Sequence, residues 1–313
     1  MTIDLTDTQA VYKDAGQHIE FTTLLLNRKD RDAELAAVQD FAGNYQSILN
    51  SMNIRYPDAK LAVAFGFSNA AWTYLFPNAD KPKQLVDFEP VKGPKYTAPA
   101  TPGDLFFHVR AVNEAVVYEI MDQFSEFFRD VTSVVDETHG FRYFEGRAIV
   151  GFIDGTENPS TQQAPEYAVI GDEDPKFIDG SYAFAQKYTH DMDAWKALPT
   201  EEQEKTIGRK KFSDRELADE EKSPNAHNIV AQDNKDGIEH KIVRMNVPFS
   251  DPAKNVTGTY FIGYAREYAI IRRMLEGMFT NSDRLLDYST PINGNMYFIP
   301  SLSLVDDIAD DAL

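Results

Sequence analysis

Gly103-Asp104-Leu105-Phe106-Phe107 and Gly258-Thr259-Tyr260-Phe261-Ile262 stand 155 residues apart, and each opens a run rich in aromatic and aliphatic residues, the composition of a buried strand. Each run is followed by an apolar pattern at three-and-four spacing. In the first copy this comprises Val116, Val117, Ile120, Met121, Phe124 and Phe128, which places one face of a helix over 113–129 against a core. The same shift lays Ile120 on Leu275 and Phe124 on Phe279. Two unrelated strand–helix units could produce this overlap by chance, so the order of the remaining elements carries weight.

Working outward, residues 19–26 read as a strand, 30–53 as a helix with an acidic start, and 61–67, 104–112 and 131–137 as strands. Beyond mid-chain, 181–189 reads as a strand, 192–207 as helical with a break at Pro199, 241–247 and 259–265 as strands, 267–278 as a helix, and 296–300 as a strand. Each half therefore runs strand-helix-strand-strand-helix-strand. That order predicts an α+β fold of two ferredoxin-like halves, 1–150 and 151–313, each an antiparallel sheet with helices on one face, as in a dimeric α+β barrel. Residues 151–180 and 209–237 are too long and too rich in turn formers for simple connections. They read as site-bearing segments, with a passive linker as the competing reading for the first.

Composition narrows the function. A formal charge of −19 repels nucleic acid and anionic lipid, so neither a nucleic acid nor a membrane is expected as a partner. With no cysteine, disulfides, thiolate metal ligands, iron–sulfur clusters and covalent haem attachment are all excluded. The opening residues 1–7 lack a basic end and a long apolar run, and no stretch has the ~20 apolar residues of a membrane span. A cytoplasmic location is expected.

Six histidines are present, none in the i, i+4 pairing of a zinc protease. His108 falls inside an apolar strand, the place of a hydrogen-bonded core histidine. His18, His139, His190 and His240 read as solvated, at strand edges or in a turn. His227 differs, standing in Ser223-Pro224-Asn225-Ala226-His227-Asn228-Ile229, a polar loop leading into an apolar segment. Arg244 and Asn246 alternate with apolar residues in Ile242-Val243-Arg244-Met245-Asn246-Val247-Pro248, so a strand there points both to one face. Between the halves lies Gly151-Phe152-Ile153-Asp154-Gly155-Thr156-Glu157-Asn158-Pro159. Its glycines and Asn-Pro step hold Asp154 on a tight support, which an ordinary turn after a strand would also explain.

The run GFIDGTENP resembles the GxxDG signature of the dye-decolorizing peroxidases, a family of haem enzymes, and the layout of the whole chain is similar to theirs, in particular to the bacterial B-type members. The resemblance implies one non-covalent haem b per chain with His227, 73 residues after Asp154, as axial iron ligand. It implies that Asp287 fixes the other ring nitrogen, that Arg209 pairs with a haem propionate, that Glu157 and Asn158 lie near the haem edge or its access channel, and that Phe261 forms a distal apolar wall. Catalysis is assigned to Asp154, Arg244 and Asn246: Asp154, or a water it organises, moves a proton of hydrogen peroxide, and Arg244 stabilises the charge that develops. The partners implied are hydrogen peroxide and a small-molecule electron donor such as a dye or phenol, and the assembly implied is a homo-oligomer of at least two chains. A non-catalytic haem-binding or haem-iron handling protein would need His227 but not the Asp154 and Arg244 pair. A haem-free ferredoxin-like dimer would need none of them.

Overall fold

The structure, a computed structural model, describes residues 3–13 and 16–313; of the opening segment read for a targeting signal, Met1 and Thr2 lie outside the described residues. The first half consists of β1 (His18–Leu26), α1 (Arg31–Arg55), β2 (Ala62–Phe67), β3 (Leu105–Ala111), α2 (Glu114–Phe128) and β4 (Thr132–Phe141). The second consists of β5 (Ser181–His190), a helical stretch of Met192–Ala197 and α3 (Thr200–Ile207) broken at Pro199, then β6 (Val243–Asp251), β7 (Val256–Ala265), α4 (Tyr268–Thr280) and β8 (Asn295–Ile299). Short helices at Asn69–Leu75 and Leu302–Ala309, and a hairpin of Asp233–Lys235 with Ile238–His240, were not expected from the sequence pattern.

Local chemistry sets the helix starts. Asp30 caps α1 by accepting from the Ala33 amide at 3.2 Å, and Asn113 caps α2 by accepting from Ala115 at 2.9 Å. Val38, Phe41, Ala42 and Tyr45 form the buried stripe of α1, and Val116, Val117, Ile120, Met121 and Phe124 that of α2. The two stripes meet over the sheet at Phe41, whose ring lies edge-on to Phe124 at 4.9 Å, Phe65 at 4.8 Å and Phe107 at 5.7 Å. Emptying that position with Phe41→Ala would cost about 3–5 kcal/mol.

Strand order shows the internal repeat directly. The strands run β6-β7-β5-β8-β2-β3-β1-β4, all antiparallel. If each half's four strands are numbered in chain order, both halves read 2-3-1-4. The expected two sheets are one: β8 pairs with β2 through Phe298 and Phe67, which joins the halves into a nine-stranded sheet that also includes Ser289–Pro291 beside β5. At the far ends, Gly140 of β4 lies against Val247 of β6, but no ladder joins them and the barrel stays unclosed. The curled sheet packs its inner faces on each other, with Phe21 of β1 stacked on Tyr260 of β7 at 3.9 Å. His108 is the core histidine expected, its Nδ1 2.8 Å from the Tyr264 hydroxyl. Among the described residues no helix is long and apolar enough to cross a membrane.

Candidate active site

With inner positions such as Ala183, Ala185, Val243, Met245, Tyr260 and Ile262 committed to the core, strand periodicity turns Tyr188, His190, Arg244, Asn246, Thr259 and Phe261 to the opposite face. There they form one wall of a cavity containing roughly 1300 Å³ of space not filled by atoms, its open mouth included. Ile271, Met274, Leu275 and Met278 of α4 supply an apolar wall, and Ala148, Val150, residues 152–157 and the loop at His227 complete it.

His227 begins a one-turn helix, His227–Val230, and lies beside the turn that follows α4. Its Nδ1–H donates to Asp283 Oδ2 at 2.7 Å, and the Asp283 side chain is fully buried. The same carboxylate accepts from the Leu285 amide at 2.8 Å. Asn225 Nδ2 donates to Ser282 O at 2.6 Å, and the Arg284 amide donates to Asn225 O at 3.1 Å, which pins the histidine loop to the Asp283 turn. This corrects the assignment of Asp287 as the partner of His227. One turn further on, Asp287 faces outward and is held by Lys95, Tyr96 and Arg284.

Asp154 lines the same cavity, and both of its oxygens are engaged by one residue. Oδ1 accepts from Asn246 Nδ2 at 2.6 Å, and Oδ2 accepts from the Asn246 backbone amide at 2.9 Å. The surface that Asp154 and Arg244 keep faces the cavity they line. Burial raises the Asp154 pKa above the ordinary value, and the Asn246 bonds and the Arg244 charge oppose the rise without cancelling it. Burial lowers the Arg244 pKa, with Asp154 and Glu157 opposing, and a guanidinium is basic enough to stay charged at neutral pH. Phe261 pairs with Asn246 across the ladder and Gly263 with Arg244, so the aromatic ring stands beside the amide while no side chain crowds the guanidinium from β7.

Arg209 is also on the cavity wall, half-buried, where its Nη1 donates to Glu157 Oε1 at 2.8 Å and its Nε to Asp214 Oδ1 at 3.0 Å. Asn158, expected near the haem edge or its access channel, stands next to the cavity-lining run 152–157 without itself being on the wall. Its amide is turned to the backbone of Arg244, donating to Arg244 O at 2.8 Å and accepting from Arg244 N at 2.9 Å.

Sequence reasoning missed two features of this site. Asp283 sits four residues before the aspartate chosen, in the same loop, and its signal was local: an aspartate just past a helix that caps the next turn. His190 was read as solvated, but it lines the cavity with both ring nitrogens engaged, Nδ1 2.9 Å from Ser289 Oγ and Nε2 2.7 Å from Thr259 Oγ1. The stripe on α4 could not be told from an ordinary core face.

One cavity is therefore lined by an oriented imidazole, a half-buried carboxylate and a half-buried guanidinium, within a ferredoxin-like α+β fold. Residues 8–142 match the N-terminal and residues 145–304 the C-terminal domain of the Dyp-type peroxidases, and the chain belongs to that family of hydrogen peroxide-dependent oxidoreductases. It is 43% identical over 279 residues to the dye-decolorizing peroxidase of Mycolicibacterium paratuberculosis, with 87% of this chain and 77% of the relative covered. Among solved structures, the dye-decolorizing peroxidase of Bacteroides thetaiotaomicron superposes with a TM-score of 0.92 at 47% identity, covering 96% of this chain and 98% of that one. An arginine-to-leucine variant of DypB from Rhodococcus jostii RHA1, in complex with haem, superposes with a TM-score of 0.90 at 39% identity, covering 96% and 97%.

Proposed function

We propose that this chain is a haem b-dependent peroxidase that reduces hydrogen peroxide and oxidises dyes, phenols or similar one-electron donors, with the cofactor held non-covalently in the 151–313 half. The observation that carries this reading is that His227, oriented by Asp283, lines the same cavity as Asp154 and Arg244. The donor set fits haem. With its Nδ1–H given to Asp283, His227 keeps the Nε2 lone pair for an iron ion, and the carboxylate raises the basicity of the ring. His190, the other imidazole on the wall, has both nitrogens engaged by hydroxyls and is unsuited to the task. The stripe of Ile271, Met274, Leu275 and Met278 suits an apolar macrocycle, and Phe261 suits the distal wall. Arg209, which already exchanges charge with Glu157 and Asp214, is the propionate partner in this reading, with Glu157 at the cofactor's edge.

Bound there, haem supplies the redox-active iron at which peroxide is reduced and from which one-electron donors are oxidised. The chain's own residues manage the proton and the charge. Asp154, or a water it holds, accepts a proton from peroxide and returns it to the departing oxygen, and its raised pKa brings it closer to the working pH than an ordinary aspartate. Asn246 fixes the carboxylate plane through two bonds and supplies no oxidisable group. Arg244 adds a fixed positive charge in a site shielded from bulk water, where it counts for more than at a surface.

Asp154→Ala and Arg244→Ala, each with haem content retained, are expected to slow reaction with peroxide by about 10²–10⁴-fold. Unchanged peroxide turnover in both would leave a haem carrier as the better reading. His227→Ala is expected to lose most of the bound haem, and retention with an unaltered spectrum would mean that another residue is the ligand.

A further inference from the structure

β6 is an edge strand. Among the described residues it pairs with β7 alone, so the N–H and C=O groups of alternate residues on its other side meet no strand there. The N–H groups of Arg244 and Asn246 are on that open side, and the segment 151–159 supplies both partners from side chains: Asp154 accepts from Asn246 N, and Asn158 accepts from Arg244 N. Asn158 goes further, because its Nδ2 also donates to Arg244 O at 2.8 Å. One amide thus closes both backbone groups of one residue, as a residue of a neighbouring strand would, and it fixes the φ and ψ from which the Arg244 side chain departs. Among the described residues the guanidinium makes one long hydrogen bond, from Nη1 to Ala231 O at 3.5 Å, so its place in the cavity depends heavily on the backbone beneath it.

We infer that Asn158 is the positioning residue for Arg244: its amide stands in for the missing strand at the edge of β6 and sets where the guanidinium enters the cavity, without touching cofactor or peroxide. The kinetic part of this inference rests on the role of Arg244 proposed above; the backbone part does not. Asn158→Ala removes both bonds. Asn158→Asp keeps an acceptor for the Arg244 amide but loses the donor to its carbonyl, and so provides a milder variant should the alanine fail to fold.

The first test is hydrogen exchange of the Arg244 amide in the cofactor-free protein. Exchange is expected to quicken about tenfold or more in Asn158→Ala, and less in Asn158→Asp, because an edge amide without its acceptor opens more readily. Unchanged exchange in both variants overturns the proposal. The second test is a double-mutant cycle in the haem-loaded enzyme, read as the second-order rate with hydrogen peroxide and as the affinity for cyanide, an anion that the guanidinium would favour. Asn158→Ala is expected to slow the peroxide reaction about tenfold, the scale of a slightly misplaced group, and to weaken cyanide. Neither loss should appear in an Arg244→Leu background. Equal losses in both backgrounds mean that Asn158 acts independently of Arg244, which overturns the proposal. If Arg244→Leu alone changes neither readout, the assigned role of Arg244 fails, and the exchange result still decides whether Asn158 holds the edge.

Discussion

Asp154 and Asn246 form a closed pair: one asparagine donates both its side-chain amide, at 2.6 Å, and its backbone amide, at 2.9 Å, to the two oxygens of one carboxylate. Donors to a carboxylate favour its charged form and lower its pKa, whereas the burial of Asp154 raises it, and burial prevails. Asn246→Ala removes only the side-chain donor. The Asp154 pKa should then rise further, because a donor to the charged form is lost. Because the carboxylate must be ionised to accept a proton, the acid limb of kcat/KM for peroxide should move to higher pH, with the rate at high pH much less affected. A pH–rate profile whose acid limb stays in place would show that Asp154 does not carry the proton.

The pair of His227 and Asp283 makes a second case. Outer partners of a metal-binding histidine fix its ring and tautomer, and their loss commonly lowers affinity 10–100-fold. Asp283→Ala is expected to weaken haem binding on that scale, measured by titrating cofactor-free protein and following the absorption of the complex. Asp287→Ala, which breaks contacts with Lys95, Tyr96 and Arg284 at a partly exposed site, should change it by no more than a few-fold. The reverse ranking would restore Asp287 as the ring's partner.

This pair also marks the limit of what the sequence revealed. The long-period features were legible: the repeat, both amphipathic helices and the alternation that turns Arg244 and Asn246 to one face follow from apolar spacing, because burial acts on every second, or third and fourth, residue. Selecting between Asp283 and Asp287 required knowing which side of a single turn faces inward, and both aspartates look alike in a polar loop. His190 failed for a related reason. Its partners Ser289 and Thr259 come from strands distant in the chain, and two hydroxyls carry no pattern that points to a histidine. The join of the two sheets at Phe67 and Phe298 was likewise invisible, since a single pair leaves no periodicity.

Gly155 ties the backbone of the 151–159 segment to Asn158. Its φ is +77°, and a Cβ built there would lie 3.1 Å from Asn158 Nδ2. Gly155→Ala should therefore meet the left-handed penalty of roughly 1–2 kcal/mol and also press the amide away from Arg244. Gly237 offers a control, with φ of +75° and nothing within 4 Å of the added carbon. Both alanine variants should lose similar stability in urea unfolding, but only Gly155→Ala should slow the reaction with peroxide. Equal kinetics in the two would mean that the contact at Asn158 yields without moving Arg244.

His190 predicts a pH dependence of stability. Burial on the cavity wall lowers its pKa to about 4 from 6.5. The folded protein then binds fewer protons than the unfolded chain between those values, so the stabilisation is complete above pH 6.5 and is lost as the pH falls toward 4. Between pH 7 and pH 5 the loss from this one group is on the order of 2 kcal/mol, an upper figure because the ring is only partly shielded from water. His190→Gln can still bond both hydroxyls but cannot take up a proton. Urea unfolding of the cofactor-free protein should show a smaller difference between pH 7 and pH 5 in the glutamine variant than in the parent, with most of the gain at pH 5. Identical pH dependence in the two proteins would assign the acid sensitivity to other groups and leave His190 as a wall residue whose protonation is not linked to folding.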